Sequence, residues 1–389
     1  MTSLSGTGEP AVARVSTLEL FLDLVFVFTV TQLTSLIVEA KEPGDYLRAA
    51  LVFATIWWIY SGYAWLTSNV GTEPTRRRLL MFAGMAGFLV MALAIPTVFG
   101  AGGVAYGLGL LTVTLVHAGL FTHAGNSSAR AILGIAPFNL VSAGLVLAAG
   151  FVTPPWDWPL WGLAVLVVVS SSLFGRERGF ALSPAHFVER HGLVVIVALG
   201  ESVVAIGVGA RGLPLSPGVI LSAVLGLALA AGLWWTYFDR DDRRAEHRIG
   251  ALNGPARARA ALNAFGYGHF LMLGGVVVLA AGIKGVVAHP GGHASLADAG
   301  NLGGGLALYL LGDVLYRRLL GIGPGGLRLV AAVLAGLGVP LGLAAGGLVQ
   351  LAACVGLLVG LLLVEARTRP AEDEDGAGPL GASASSSRA

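Results

Sequence analysis

Residues 187–208 read FVERHGLVVIVALGESVVAIGV, a stretch typical of a helix that crosses a membrane. An α-helix rises about 1.5 Å per residue, so the stretch is long enough to cross a hydrocarbon layer of about 30 Å. Its apolar residues are continuous, whereas the strands of a membrane barrel alternate apolar and polar residues. The stretch therefore predicts a transmembrane helix, and Glu201 is its one charged residue after Arg190.

Similar apolar runs recur along the chain. Hydrophobic residues make up 55% of it and charged residues 12%, a balance that would force a soluble domain to expose large apolar patches. We therefore predict an all-α, polytopic membrane protein with about twelve transmembrane helices. The predicted spans are residues 18–38, 47–67, 79–99, 104–123, 129–151, 158–174, 187–208, 219–238, 263–283, 301–320, 327–345 and 348–364.

Basic residues accumulate in alternate connecting segments. Examples are the cluster Arg76–Arg78 and the six arginines from Arg240 to Arg259. Because Lys and Arg favour short cytoplasmic loops, the pattern predicts an inner (plasma) membrane protein with both termini cytoplasmic. The same pattern explains the formal net charge of +2 without a nucleic-acid partner. The polar residues 1–17 do not resemble a cleavable signal peptide.

The second and eighth predicted helices share a tetrapeptide, WWIY at 57–60 and WWTY at 234–237. Glu19 and Glu189 also occupy similar positions at the starts of the first and seventh helices. We interpret these similarities as a duplication, with both repeats in the same orientation. The predicted units are a cytoplasmic segment 1–17, a six-helix repeat 18–174, a six-helix repeat 175–364 and a disordered cytoplasmic tail 365–389.

Glu201 is the strongest candidate for a functional residue. A carboxylate at the centre of a bilayer costs at least about 2.5 kcal/mol, so it is expected to face protein or water. The small residues Gly200 and Ser202 beside it would let another helix or a water approach. The alternative is a carboxyl group that only serves helix packing.

Glu19 and Asp23 lie four residues apart, and Thr34 falls on the same helical face as Asp23. The three residues could line a cytoplasmic entrance. The alternative for Glu19 is an interfacial residue that the helix N-terminus stabilises.

Histidines and a charged cluster complete the candidate set. His269 and His117 lie within predicted helices, where an imidazole can exchange protons or serve as a hydrogen-bonded packing residue. Glu189, Arg190 and His191 open the seventh helix. They are interpreted either as a gating ion pair or as an interfacial cluster that fixes the depth of the helix.

Two further patterns predict architecture. Asp313 lies four residues before Arg317, which favours a local ion pair. Small residues spaced four apart favour close packing of the last two helices. The glycines concerned are Gly338, Gly342, Gly346, Gly356 and Gly360.

Motifs of soluble enzymes are missing from the sequence. It has no Walker loop, no H-E-x-x-H and no G-x-S-x-G. Its single cysteine, Cys354, rules out an intrachain disulfide. We therefore expect no enzymatic activity, no catalytic residue, no cofactor and no metal site.

Two long segments resemble the signatures of the bacterial low temperature requirement A family. They are ELFLDLVFVFTVTQL at 19–33 and ERHGLVVIVALGES at 189–202. Tyr267–His269 and the pair Trp234–Trp235 also fit the pattern of that family, and the resemblance covers roughly residues 14–365. The resemblance implies a multi-pass membrane protein connected with growth in the cold. It does not imply a chemistry.

Three functions follow from these observations. The first is a transporter or permease for an unknown small solute or ion, coupled to protons or cations through Glu201, with Asp23 and His269 assisting. The second is a channel of two six-helix repeats, for which a homo-oligomer is expected. The third is a non-transporting membrane protein that senses or adapts the envelope to cold and binds lipid or a partner through the arginine-rich loop between the eighth and ninth helices. Both transport functions need the same intramembrane polar groups, so the sequence leaves them open.

Overall fold

A computed structural model describes residues 15–68, 74–122, 127–174 and 182–368. Within these ranges the regular elements are helices, and no strand occurs. The helices are α1 (Thr17–Glu39), α2 (Pro43–Thr67), α3 (Thr75–Ala94), α4 (Gly103–Thr122), α5 (Ser127–Ala149), α6 (Asp157–Phe174), α7 (Pro184–Gly209), α8 (Pro217–Phe238), α9 (Asp241–Ala251), α10 (Gly254–Ala261), α11 (His269–Ala288), α12 (Leu296–Leu320), α13 (Gly326–Leu337), α14 (Val339–Ala345) and α15 (Gly347–Arg367). A π-helical turn, Leu262–Gly268, joins α10 to α11.

Nine helical segments of the described ranges are long and apolar enough to cross a membrane. Two shorter apolar helices, Gly134–Ala149 and Asp157–Ser172, accompany them. The expectation of an all-helical, multi-pass membrane protein is thus confirmed. Each of the twelve predicted runs overlaps one of the helices, but the count of twelve spans and the division into two repeats stay predictions. The predicted segment before residue 15, the basic cluster Arg176–Arg178 and the tail from residue 369 lie outside the described residues.

The surface of the bundle carries many large apolar side chains. Leu24, Leu79 and Leu93 are each more than 60% exposed, and Trp234 and Trp235 also point outward. Such a surface suits contact with lipid rather than water. Polar and charged side chains such as Asp23, Glu201 and Asp313 are instead buried between helices.

Glycines allow the close approach of α11 and α12, which make the most extensive helix contact among the described residues. A Cβ atom added at Gly282 would lie 2.5 Å from the backbone nitrogen of Leu302, and one at Gly312 would lie 2.6 Å from the nitrogen of Met272. Small residues at such positions let two backbones approach.

The sequence predicted that five glycines let the last two helices pack closely. This prediction is wrong for Gly356 and Gly360 of α15. A Cβ atom at Gly356 or Gly360 would have nothing within 4 Å, so both face open space. Gly342 does face α15, where an added Cβ would meet Gln350. The four-residue spacing predicted a shared face, but it could not indicate whether lipid or protein covers that face.

Replacing Gly282 by valine is expected to destabilise the protein by about 2 kcal/mol or more, because the new side chain meets backbone that cannot move aside. Thermal unfolding in detergent measures this effect. The matched control is Gly356→Val, which also adds a side chain to an apolar helix and should leave the melting temperature almost unchanged. Equal melting temperatures for the two variants would contradict the close approach of α11 and α12.

Candidate functional site

Helices α1 and α7 lie side by side and run in the same direction. Glu19 contacts His186 near the start of both helices, whereas Thr31 contacts Glu201 further along both. A third contact joins Asp23 to Arg190. Asp23 and Arg190 are 167 positions apart in the chain, as are Glu19 and His186. Glu19 therefore contacts His186, which lies three residues before Glu189 on α7. The polar residues of the α1–α7 interface form two levels along the helices.

An ion pair between Asp23 and Arg190 forms the first level. Arg190 donates from Nη1 to Asp23 Oδ2 at 2.7 Å and from Nη2 to Oδ1 at 2.9 Å. The hydroxyl of Tyr60 on α2 donates to Asp23 Oδ1 at 2.6 Å. All three residues are buried. Because two parallel charge-assisted bonds hold the carboxylate, Asp23 fixes α1 against α7 at this level.

Glu19 lies one helical turn before this pair. Its carboxylate accepts a hydrogen bond from the backbone nitrogen of Ser16 at 3.2 Å, and Ser16 in turn caps the helix. His186 Nε2 lies 3.2 Å from the same carboxylate, and His186 Nδ1 lies 3.0 Å from the hydroxyl of Ser68. The alternative reading of Glu19 as a helix-start residue matches this geometry, although the side chain is buried.

Glu201 forms the second level. The hydroxyl of Thr31 donates to Glu201 Oε2 at 2.6 Å, and the hydroxyl of Thr34, which donates to the backbone oxygen of Val30 at 3.1 Å, lies close to the carboxylate. Lys284 on α11 acts on it electrostatically. Glu201 is 2% exposed, and the adjacent Ser202 is fully buried. Glu201 lies about 7 Å beyond the centre of α7.

An apolar layer separates the two levels. Arg190 and Glu201 are eleven residues apart on α7, which corresponds to about 16 Å along the helix. Buried apolar side chains fill the interval from both helices. They are Phe26, Val30, Val194, Val195 and Ala198.

The histidines lie at the first level or away from the α1–α7 interface. The rings of His191 and His269 are 5.6 Å apart, and His269 Nε2 lies 2.9 Å from the hydroxyl of Tyr237. His191 is the residue after Arg190, so His269 belongs to the level of Asp23. His117 on α4 instead lies against Gly62 of α2. The structure therefore does not bring Glu201 together with Asp23 and His269.

The three residues of the predicted cluster at the start of α7 point to different sides of the helix. Arg190 and His191 are buried, whereas Glu189 is exposed. The ion pair of Arg190 is made with α1, and not with Glu189 of its own helix.

A second ionic network was not predicted from the sequence. Asp313 pairs with Arg328 of α13 at 2.5 Å, and Arg317 pairs with Asp241 of α9 at 2.6 Å. Arg328 also holds Glu365 of α15 with two bonds of 3.0 Å. The expected local pair of Asp313 and Arg317 is thus replaced by pairs between helices. A cavity of about 410 Å³ adjoins this network.

No three His, Cys, Asp or Glu side chains of the described ranges are grouped closely enough to hold a metal ion. Whether the protein uses a metal or cofactor is not tested by this geometry, and the expectation that it does not stays a prediction.

Replacing Arg190 by methionine is expected to destabilise the protein by about 3–5 kcal/mol, because the carboxylate of Asp23 would stay buried without its partner. The double variant Asp23→Leu/Arg190→Met removes both charges and should recover most of this loss. Heating in detergent followed by size-exclusion chromatography gives the midpoints. Arg211→Met serves as the control, since Arg211 is exposed. A single variant as stable as its double would show that the pair does not hold α1 to α7.

Comparisons with known proteins agree with the geometry of a membrane bundle. The family model described as bacterial low temperature requirement A protein matches residues 14–364. A protein of Rhizobium meliloti (strain 1021), described as uncharacterized, is 28% identical over 319 residues, which cover 77% of this chain and 76% of that protein. The family match spans the α1 and α7 segments and both ionic networks except Glu365, which is the residue after its end. The chain therefore belongs to the bacterial low temperature requirement A protein family.

Proposed function

We propose that the protein is an inner-membrane transporter or permease in which Glu201 couples the movement of a small solute or ion to protons or cations. The proposal includes twelve spans in two six-helix repeats, cytoplasmic termini and no enzymatic role. The observation that carries it is a buried carboxylate whose hydrogen-bond partner is the hydroxyl of Thr31 on a neighbouring helix.

The surroundings of Glu201 differ from those of Asp23 and Asp313. Asp23 and Asp313 each have an arginine within 4 Å, whereas Glu201 accepts a hydrogen bond from the hydroxyl of Thr31, with Lys284 acting from a distance. An arginine already neutralises the charge of such a carboxylate, so the carboxylate has a low affinity for another cation. Glu201 can take up a proton or, with the oxygens of Thr31 and Thr34, bind a small cation.

The two levels of the α1–α7 interface suit alternating access. An ion pair closes one end, Glu201 lies toward the other, and an apolar layer separates them. The Asp23–Arg190 pair holds one end of the interface, so the movement would be a tilt of α1 about this pair. Such a tilt would break the Thr31–Glu201 bond, so the charge state of Glu201 would influence the movement. Coupling of this kind needs one group that binds the ion and also contacts the helix that moves.

The arrangement of α1 and α7 also supports two repeats of the same orientation. Two helices of one chain run in the same direction across a membrane only if an even number of crossings separates their starts. The arginines in the first turn of α3, in α9 and α10, and at the end of α12 support a cytoplasmic location for the side on which α1 and α7 begin.

The variant Glu201→Gln tests the proposal, because glutamine keeps the size of the side chain but cannot ionise. Proteoliposomes with an internal pH-sensitive dye report proton uptake under an imposed potential. We expect the variant to lose about tenfold or more of the uptake seen with the wild type. Glu189→Gln is the matched control on the same helix and should stay close to the wild type.

Equal proton or cation flux in wild type and Glu201→Gln would overturn the proposed coupling. Flux that rises without saturation as the ion concentration increases would favour the channel instead. Saturation together with loss in Glu201→Gln supports the transporter.

A further inference from the structure

Two adjoining cavities lie along α2, outside the α1–α7 interface. Their volumes are about 100 and 130 Å³, and they share Trp58, Ser61 and Leu262 as lining residues. Helices α4, α5 and α6 and the segment from α10 to α11 supply the other walls. We call the two cavities together the α2 cleft. An apolar cavity of about 150 Å³ can bind a molecule as large as benzene and does not fill with water.

The length and direction of the α2 cleft match one leaflet of a membrane. The lining residues on α2 run from Ala54 to Trp65, which is about 16 Å along the helix. One leaflet contributes about 15 Å of hydrocarbon. Trp65 lies next to the end of α2, on the side where α1 and α7 begin. The cleft therefore follows the hydrocarbon depth of the leaflet on that side.

The walls of the cleft are held by hydrogen bonds. Trp57 Nε1 donates to the backbone oxygen of Gly266, within the π turn, at 2.7 Å. Trp58 Nε1 donates to Asn139 Oδ1 at 3.0 Å. Both indole groups are thus satisfied and fix the aromatic rings in place, so the cleft cannot collapse by simple rotation of these rings.

His117 also lines the cleft, but unlike the two indole groups it has a ring nitrogen without a hydrogen-bond partner among the described residues. This nitrogen is Nε2, and the residue is 3% exposed. A buried polar atom without a partner costs about 1–3 kcal/mol. His117 lies close to the end of α4, at the same end of the cleft as Trp65. An occupant of the cleft would therefore be apolar along most of its length and would offer a hydrogen-bond acceptor near the membrane surface.

We propose that the α2 cleft binds one acyl chain of a glycerophospholipid from this leaflet, whose ester carbonyl accepts a hydrogen bond from His117 Nε2–H. The acyl chain fills the apolar length between α2 and the π turn. The ester group lies where a phospholipid places it, at the boundary between hydrocarbon and headgroups. This binding site is separate from Glu201 and does not depend on the proposed transport.

Photo-crosslinking tests the site with the full chain in vesicles of phosphatidylethanolamine and phosphatidylglycerol. A small fraction of the phosphatidylethanolamine carries a diazirine in one acyl chain, and mass spectrometry maps the labelled peptides. We expect label on the Trp58 and Leu262 peptides, enriched about fivefold over the exposed Leu166 of α6. Uniform labelling of all lipid-facing helices would overturn the proposal.

The variant Ser61→Phe fills the cleft and should remove this enrichment, whereas Leu166→Phe adds an aromatic ring at the lipid surface and should not. If Ser61→Phe does not fold, Ala258→Phe fills the same cavity from α10. Enrichment that persists in a folded filling variant would also overturn the site.

Native mass spectrometry of the detergent-purified protein tests the role of His117. We expect His117→Phe to retain about tenfold less phospholipid than wild type, and His117→Gln, which keeps an N–H donor, to retain more than His117→Phe. A diazirine-bearing free fatty acid that labels the cleft as strongly as the phospholipid would show that the ester contact is wrong. Equal retention by the two His117 variants would show the same.

Discussion

The structure depends on the compensation of buried charge. A hydrocarbon environment offers no water to an ionised side chain, so each one must find a partner within the bundle. Asp23 and Arg190 satisfy this requirement across the α1–α7 interface, and they do so with a bidentate geometry that permits one relative placement of the two helices. The other polar contacts between α1 and α7 follow from that placement.

The same requirement explains the second ionic network. Asp313, Arg317 and Arg328 sit in or beside apolar helices, and each would be costly alone. Asp313 and Arg328 pair with each other, and further partners come from α9 and α15, so the network joins the four helices α9, α12, α13 and α15. The two networks together hold the side of the bundle where α1 and α7 begin. Glu201, on the other side of the apolar layer, has no such fixed charge partner within 4 Å among the described residues.

The sequence predicted the helices well because apolar length is a local property. It also identified Asp23, Arg190, Glu201 and His269 as unusual, since the cost of an intramembrane charge can be read from one helix. It could not predict the partners. Asp313 was assigned to Arg317 four residues away, yet it pairs with Arg328, because the choice depends on how α12 packs against α13. Likewise, the two W-W-x-Y segments look alike in sequence, but Trp57 packs against protein and Trp234 faces outward.

The π turn at Leu262–Gly268 changes the directions in which the side chains of α11 point around the helix axis. A π turn contains one residue more than an uninterrupted α-helix would, and one residue corresponds to a rotation of about 100° around the helix axis. His269 is the first residue after it, and its imidazole meets Tyr237 in this rotated orientation. In a family member that lacked the additional residue, the side chain facing α8 would be a different one, so equivalent positions there must be found by geometry and not by counting along the chain.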